Sequence, residues 1–115
     1  MKKELKNNLL IVGIIILIIL IIVLILYLKQ DKTNEEIMLC IASKAVLVES
    51  QTCSHCIAQK MILGNYVSNF TMIDIADHPE IFSQYNLIGT PTWIINNQTY
   101  PGVKQISELK QLTGC

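Results

Sequence analysis

The sequence predicts a small mixed α/β domain, a sheet covered by helices on both faces, preceded by a single N-terminal transmembrane helix. Three observations predict it. Residues 9–28 form one apolar run, and short apolar stretches then alternate with stretches of helical period. The chain finishes with two β-type runs around Asn96-Asn97 and one amphipathic helix. A length of 115 residues allows one small domain and little else. Nine Lys balance nine Asp and Glu, so the net charge is zero. That excludes an electrostatic nucleic-acid binder, which needs a basic face to displace counterions. A hydrophobic content of 51% with 16% charged residues excludes a disordered tail.

The elements follow in order. Residues 1–8 are a short basic tail containing Lys2, Lys3 and Lys6. In residues 9–28 every position except Gly13 is hydrophobic. Twenty helical residues span about 30 Å, the thickness of a bilayer hydrocarbon core. A cleaved signal peptide would have a shorter apolar region and a small-x-small site, which Tyr27-Leu28-Lys29-Gln30 does not offer. The excess of Lys before the span predicts a cytoplasmic N-terminus and an extracytoplasmic or lumenal C-terminal domain. Without the run, the remainder is roughly two fifths hydrophobic, an ordinary soluble composition.

Residues 29–33 read as a polar linker, and 34–115 as the soluble domain. Thr33 with Glu36 fits a capping box for a helix over 34–43. Ala45-Val46-Leu47-Val48 reads as a buried strand, and Ser50-Gln51-Thr52 as a turn. From Cys53 the spacing of Ile57, Ala58, Met61 and Ile62 predicts a helix that Gly64 ends. Residues 70–75 read as a second strand, and Pro79 as the first turn of a helix reaching Tyr85. Thr92-Trp93-Ile94-Ile95 and Gln98-Thr99-Tyr100 read as a hairpin joined by Asn96-Asn97. A final helix follows Gly102, with Val103, Ile106, Leu109 and Leu112 on one face.

The strongest chemical signal is Cys53-Ser54-His55-Cys56 at the turn from strand to helix. A thiolate is the reactive form of cysteine, and a helix N-terminus stabilises it through unpaired N–H groups and the positive dipole end. Cys53 is then the nucleophile, Cys56 the resolving thiol one turn deeper, and His55 a tuning group beside the thiolate. Stabilising the thiolate favours the reduced pair and makes the disulfide more oxidising. Two other readings stand beside this one. Cys53–Cys56 could be a structural disulfide in an anchored interaction domain. Alternatively Cys53, Cys56 and His55 could bind copper as soft ligands, as in a metallochaperone. A zinc site needs two more ligands at suitable spacing, which His78, Cys40 and Cys115 do not supply.

Gly89-Thr90-Pro91-Thr92-Trp93 places a proline at the head of a strand, where its missing donor is tolerated. Together with Cys-x-x-Cys on a strand-to-helix turn, this pattern resembles the thioredoxin-fold family. Residues 89–96, Tyr100-Pro101-Gly102-Val103 and the tail from Glu108-Leu109 to Gly114 are most similar to one branch of it. That branch comprises the thioredoxin-like domains fused to bacterial vitamin K epoxide reductase homologues, and the resemblance covers residues 34–114. It implies a cis Thr90–Pro91 bond against a redox-active disulfide of Cys53 and Cys56. It also implies a substrate groove shaped by Thr90, Pro91 and Gly102, and no cofactor beyond the disulfide itself. Protein thiols and disulfides are the implied substrates. A quinone-linked membrane partner, here a separate chain, is the implied electron acceptor or donor.

The chain departs from the family in having Thr52 where an aromatic usually precedes the first cysteine, and Leu47 where many members carry a buried acid. Glu49 faces the same side as Leu47 by strand alternation. It reads as an exposed strand-end carboxylate, with a proton relay to Cys56 as the other reading. Cys40 reads as a buried free thiol and Cys115 as a mobile end, each unpaired in preference to pairing with the other. His78 reads as preceding or capping a helix, and Trp93, Tyr100 and Tyr85 as core or groove wall.

Overall fold

A computed structural model of the chain describes residues 1–29 and 34–115. The linker beyond Lys29, and the expected Thr33 cap, lie outside the described residues. The chain divides into two units, Met1–Glu35 and Glu36–Cys115, and helix α1 (Lys2–Lys44) contributes to both. In the first unit residues 9–28 are exposed on every side of the helix. A helix that is apolar all round has no face suited to water, whereas in hydrocarbon its internally bonded backbone is satisfied. α1 is long and apolar enough to cross a membrane.

The second unit is built on a four-stranded sheet of order β2-β1-β3-β4. Strand β1 (Ala45–Glu49) runs parallel to β2 (Thr71–Asp74), and the crossover between them carries α2 (Ser54–Leu63). Helix α3 (Glu80–Gln84) leads to β3 (Thr92–Ile95), which is antiparallel to both β1 and β4 (Gln98–Pro101). Helix α4 (Ile106–Thr113) closes the unit. The order helix, strand, helix, strand, helix, strand, strand, helix is the one the sequence pattern predicts. The hairpin turns through Asn96 (φ 52°) and Asn97 (φ 60°), left-handed positions that asparagine tolerates and a tight two-residue turn requires.

Alternation along β1 and β3 puts Ala45, Leu47, Trp93 and Ile95 on one face of the sheet. They are buried with Met38 and Ile41 of α1, Leu63 of α2, Phe70 and Leu109 of α4. Phe70 meets Trp93 edge-on, with ring centroids 5.7 Å apart. Val48 and Thr92, on the other face, are buried as well.

Three local differences from the sequence expectation have physical causes. A 3₁₀ segment, Gly64–Asn69, fills the connection from α2 to β2. It begins where Gly64 takes φ 57° and ends α2. The last helix starts at Ile106, so Val103 lies in the preceding loop and not on the helical face. It starts there because Glu108 Oε2 accepts from the Gln105 N–H at 2.8 Å and so supplies the cap.

Finally, Cys40 and Cys115, both expected to be unpaired, are joined by a disulfide, with Cα atoms 6.0 Å apart and a sequence separation of 75. The C-terminus is held in place to make it. Gly114 takes the left-handed φ 70°, the Cys115 N–H donates to Lys110 O at 3.0 Å, and Lys44 Nζ donates to Thr113 O at 3.2 Å. Cross-links that close long loops remove the most entropy from the unfolded chain. Cys115→Ser is therefore expected to destabilise the domain by about 2–5 kcal/mol and to lower Tm by more than about 10 °C. Cys40→Ser should cost the same, and the double variant no more, when followed by near-UV circular dichroism on heating. Additive losses would show that the two cysteines act separately.

Candidate active site

β1 delivers the chain to Glu49, and the turn that follows is closed by the Cys53 N–H donating to Ser50 O at 3.2 Å. α2 then begins with Cys53 as its N-cap, in extended conformation (φ −93°, ψ 110°). An N-cap side chain ordinarily offers an oxygen to a free backbone N–H of the first turn. Here the sulfur does so, and the Cys56 N–H donates to Cys53 Sγ at 3.1 Å. Cys53 and Cys56 are bonded as a disulfide with Cα atoms 5.2 Å apart. Cys56 is 1% exposed and Cys53 half-buried, so an incoming sulfur can reach only Cys53.

The opposite wall comes from Thr90 and Pro91, immediately before β3. The Thr90–Pro91 peptide bond is cis, and Thr90 O lies 3.4 Å from Cys53 Sγ. In the dithiol form the Cys53 S–H would donate to that carbonyl. The Gly102 N–H donates to Pro91 O at 2.8 Å. The fold thus gathers five of the residues singled out from sequence: Cys53, Cys56, Thr90, Pro91 and Gly102. His55 sits on the first turn of α2 but is exposed, with no hydrogen bond or ion pair among the described residues. It does not join the cysteines as a ligand set. Among the described residues no three His, Cys, Asp or Glu side chains are placed to hold a metal ion.

Glu49 is not the exposed strand-end carboxylate expected from sequence. Its side chain is 12% exposed and is ion-paired with Lys60, itself 37% exposed. The parity of β1 turns Glu49 to the side of Leu47, and Lys60 lies one helical turn beyond Cys56. His78 stays exposed at the start of α3, its Nδ1 3.1 Å from Glu80 Oε1. A backbone hydrogen bond, and after it the bond to His78, holds the exposed Glu80 carboxyl below its ordinary range.

The sequence reading missed Gln59. The spacing of Ile57, Ala58, Met61 and Ile62 predicts the helix but not its buried face, which is Cys56, Gln59 and Leu63, with Ile57 and Met61 exposed. The carboxamide of Gln59 explains the rotation. Its Oε1 accepts from the Trp93 indole N–H at 3.1 Å and from the Lys104 N–H at 2.6 Å. Its Nε2 donates to Lys104 O at 2.9 Å. The one available signal was the spacing of Gln59 from Cys56, which puts both on one helical face.

No protein-family model matches the chain, and no curated protein matches it. Among solved structures, oxidized glutaredoxin 2 from Chlamydomonas reinhardtii is similar at 18% sequence identity and a TM-score of 0.45. The match covers 73% of this chain and 95% of that one. The chain's own geometry defines a mixed α/β domain with a Cys-x-x-Cys disulfide at a helix N-terminus.

Breaking a largely buried ion pair leaves one charge uncompensated, whereas replacing both partners can be nearly neutral. Lys60→Met is expected to cost roughly 1–3 kcal/mol at neutral pH, less than a fully buried pair because Lys60 is partly in water. Adding Glu49→Gln to it should recover most of that loss in urea unfolding. If the double variant were as unstable as the single, the ion pair would not be the source of the cost.

Proposed function

We propose that the protein is a membrane-anchored thiol-disulfide oxidoreductase that exchanges disulfides through Cys53 and Cys56. The observation that carries this reading is the arrangement at the head of α2. A half-exposed sulfur capped by a helix N–H stands against Thr90 and Pro91, with its partner sulfur buried behind it.

In the oxidising direction a substrate thiolate attacks Cys53 Sγ. The Cys53–Cys56 bond breaks, and the electron pair leaves on Cys56 Sγ, which takes up a proton. The second substrate thiolate attacks its own sulfur in the mixed disulfide and releases Cys53 as a thiolate. The substrate leaves as a disulfide, and its two electrons remain on the Cys53/Cys56 dithiol. A quinone-linked membrane redox partner then removes them by the same exchange. The cap N–H stabilises Cys53 as a leaving thiolate, and His55 on the same turn adds to that when protonated. This favours oxidase or isomerase work over reduction. The Glu49–Lys60 pair is the proposed proton relay for Cys56, and Thr90, Pro91 and Gly102 shape the groove for an extended protein segment.

Residues 9–28 anchor the chain in this reading, with the N-terminus cytoplasmic and the domain extracytoplasmic or lumenal. Tethering raises the effective concentration of the site near membrane partners. An oxidising location also suits the Cys40–Cys115 bond.

The roles of the two cysteines separate in one experiment. Cys56→Ser should accumulate mixed disulfides with reduced protein substrates, visible as reductant-sensitive bands. Cys53→Ser should show no exchange and no adducts. Full exchange by Cys53→Ser would sink the proposal. Micromolar copper(I) binding by the wild type, without dithiol oxidation, would favour the metallochaperone reading.

A further inference from the structure

Gln59 takes no part in the exchange chemistry, yet its side chain is fully buried and three hydrogen bonds converge on it. Its oxygen uses both lone pairs, one on Trp93 and one on Lys104. Pro91 lies two residues before Trp93, and Gly102 two residues before Lys104. Pro91 O and the Gly102 N–H are themselves bonded at 2.8 Å. The bonds therefore close a ring that ties α2 to β3 and the Pro91 that precedes it, and Gln59 stands one turn beyond Cys56 on the same helical face.

We propose that Gln59 is a positioning residue that sets the separation between Cys53 Sγ and Thr90 O. The proposal rests on the thiol-disulfide reading, because that separation matters only if Cys53 acts as a nucleophile and leaving group. Its consequence has a definite sign. At 3.4 Å, Thr90 O would accept from the Cys53 thiol of the reduced pair and repel the thiolate, so the contact favours the protonated form. The Cys56 N–H favours the thiolate, but it belongs to α2 and moves with Cys53. Loosening the ring weakens the first contact and keeps the second, so the thiolate fraction rises. The ionisable groups on the elements around Cys53, namely His55, Glu49, Lys60 and Lys104, are untouched.

The test is the alkylation rate of Cys53 across pH in the full-length, reduced chain in detergent, read by mass spectrometry of its peptide. Gln59→Met keeps the length of the side chain and removes all three bonds. It is expected to react about threefold faster than wild type at about pH 6, with the two rates converging in alkali. Trp93→Phe removes one of the three bonds and should shift the rate the same way by less. It also carries the test alone should Gln59→Met fail to fold. Ile41→Ala opens a hole in the core before β1 begins and should leave the Cys53 profile where it is.

An unchanged profile in both Gln59→Met and Trp93→Phe would overturn the proposal. So would an equal shift in Ile41→Ala, since loss of stability alone would then account for the effect. Failure of the functional reading is distinct. A wild-type chain that alkylates at Cys53 but exchanges no disulfides refutes the oxidoreductase, while the alkylation comparison still decides the role of Gln59.

Discussion

The site depends on a sulfur standing where a helix ordinarily takes an oxygen. The first turn of α2 has backbone N–H groups with no partner inside the helix, and Cys53 Sγ satisfies the one at Cys56. This contact is a local folding interaction and, in the proposed exchange, the stabilisation of a leaving thiolate as well. It fixes where the helix begins, and the start of the helix fixes which sulfur meets solvent. Cys53 is held half-exposed at the cap, and three residues later the helical turn carries Cys56 inward to 1% exposure. The difference in exposure between the two sulfurs, on which the proposed exchange relies, follows from the cap and needs no further device.

A cap fixes the start of a helix but not its rotation, which is set by what the next turns bury. In α2 the inward residues are Cys56, Gln59 and Leu63. Leu63 joins the core around Trp93, while Gln59 bonds to that same Trp93 through its indole. The helix is thus held by a polar contact to Trp93 of β3 and by an apolar residue in the core that Trp93 shares, and the cis-proline immediately precedes that strand. A unit of about 80 residues buries a limited core, and α3 has only five residues. Buried hydrogen bonds and the Cys40–Cys115 cross-link supply part of the definition that a larger core would give.

Much of this was legible because it is written in local chemistry. Cys53 and Cys56 declare themselves by spacing, and Pro91 by its place ahead of an apolar strand. The pair Asn96-Asn97 declares the hairpin because few residues accept a left-handed conformation twice in succession. What was not legible depends on tertiary partners. Glu49 looks like a strand-end charge until Lys60 is brought to it across the β1–α2 turn. Cys40 and Cys115 stand 75 residues apart and pair only because α1 and the end of α4 flank one core. Apolar periodicity finds α2 but does not orient it, since Ile57 and Met61 outweigh Gln59 on any hydrophobicity scale. Three hydrogen bonds nevertheless decided which face went inside.

The two disulfides therefore differ in what their reduction would release. Linkage makes the stabilisation of a fold by a disulfide equal to the stabilisation of the disulfide by the fold. For Cys40–Cys115, about 2–5 kcal/mol of fold stability corresponds to a potential about 40–110 mV more negative than the same pair has in the unfolded chain. Cys53–Cys56 spans three residues, so on the same chain-entropy scale it contributes less than half as much. Opening it leaves β1, the α2 core contacts and the Gln59 bonds in place. The thiolate it releases at Cys53 is stabilised by the same N–H that capped the sulfur before. Position alone thus divides the work. The cross-link between the two ends of the domain resists reduction because the fold depends on it, and the one at the helix cap can open and close because the fold does not.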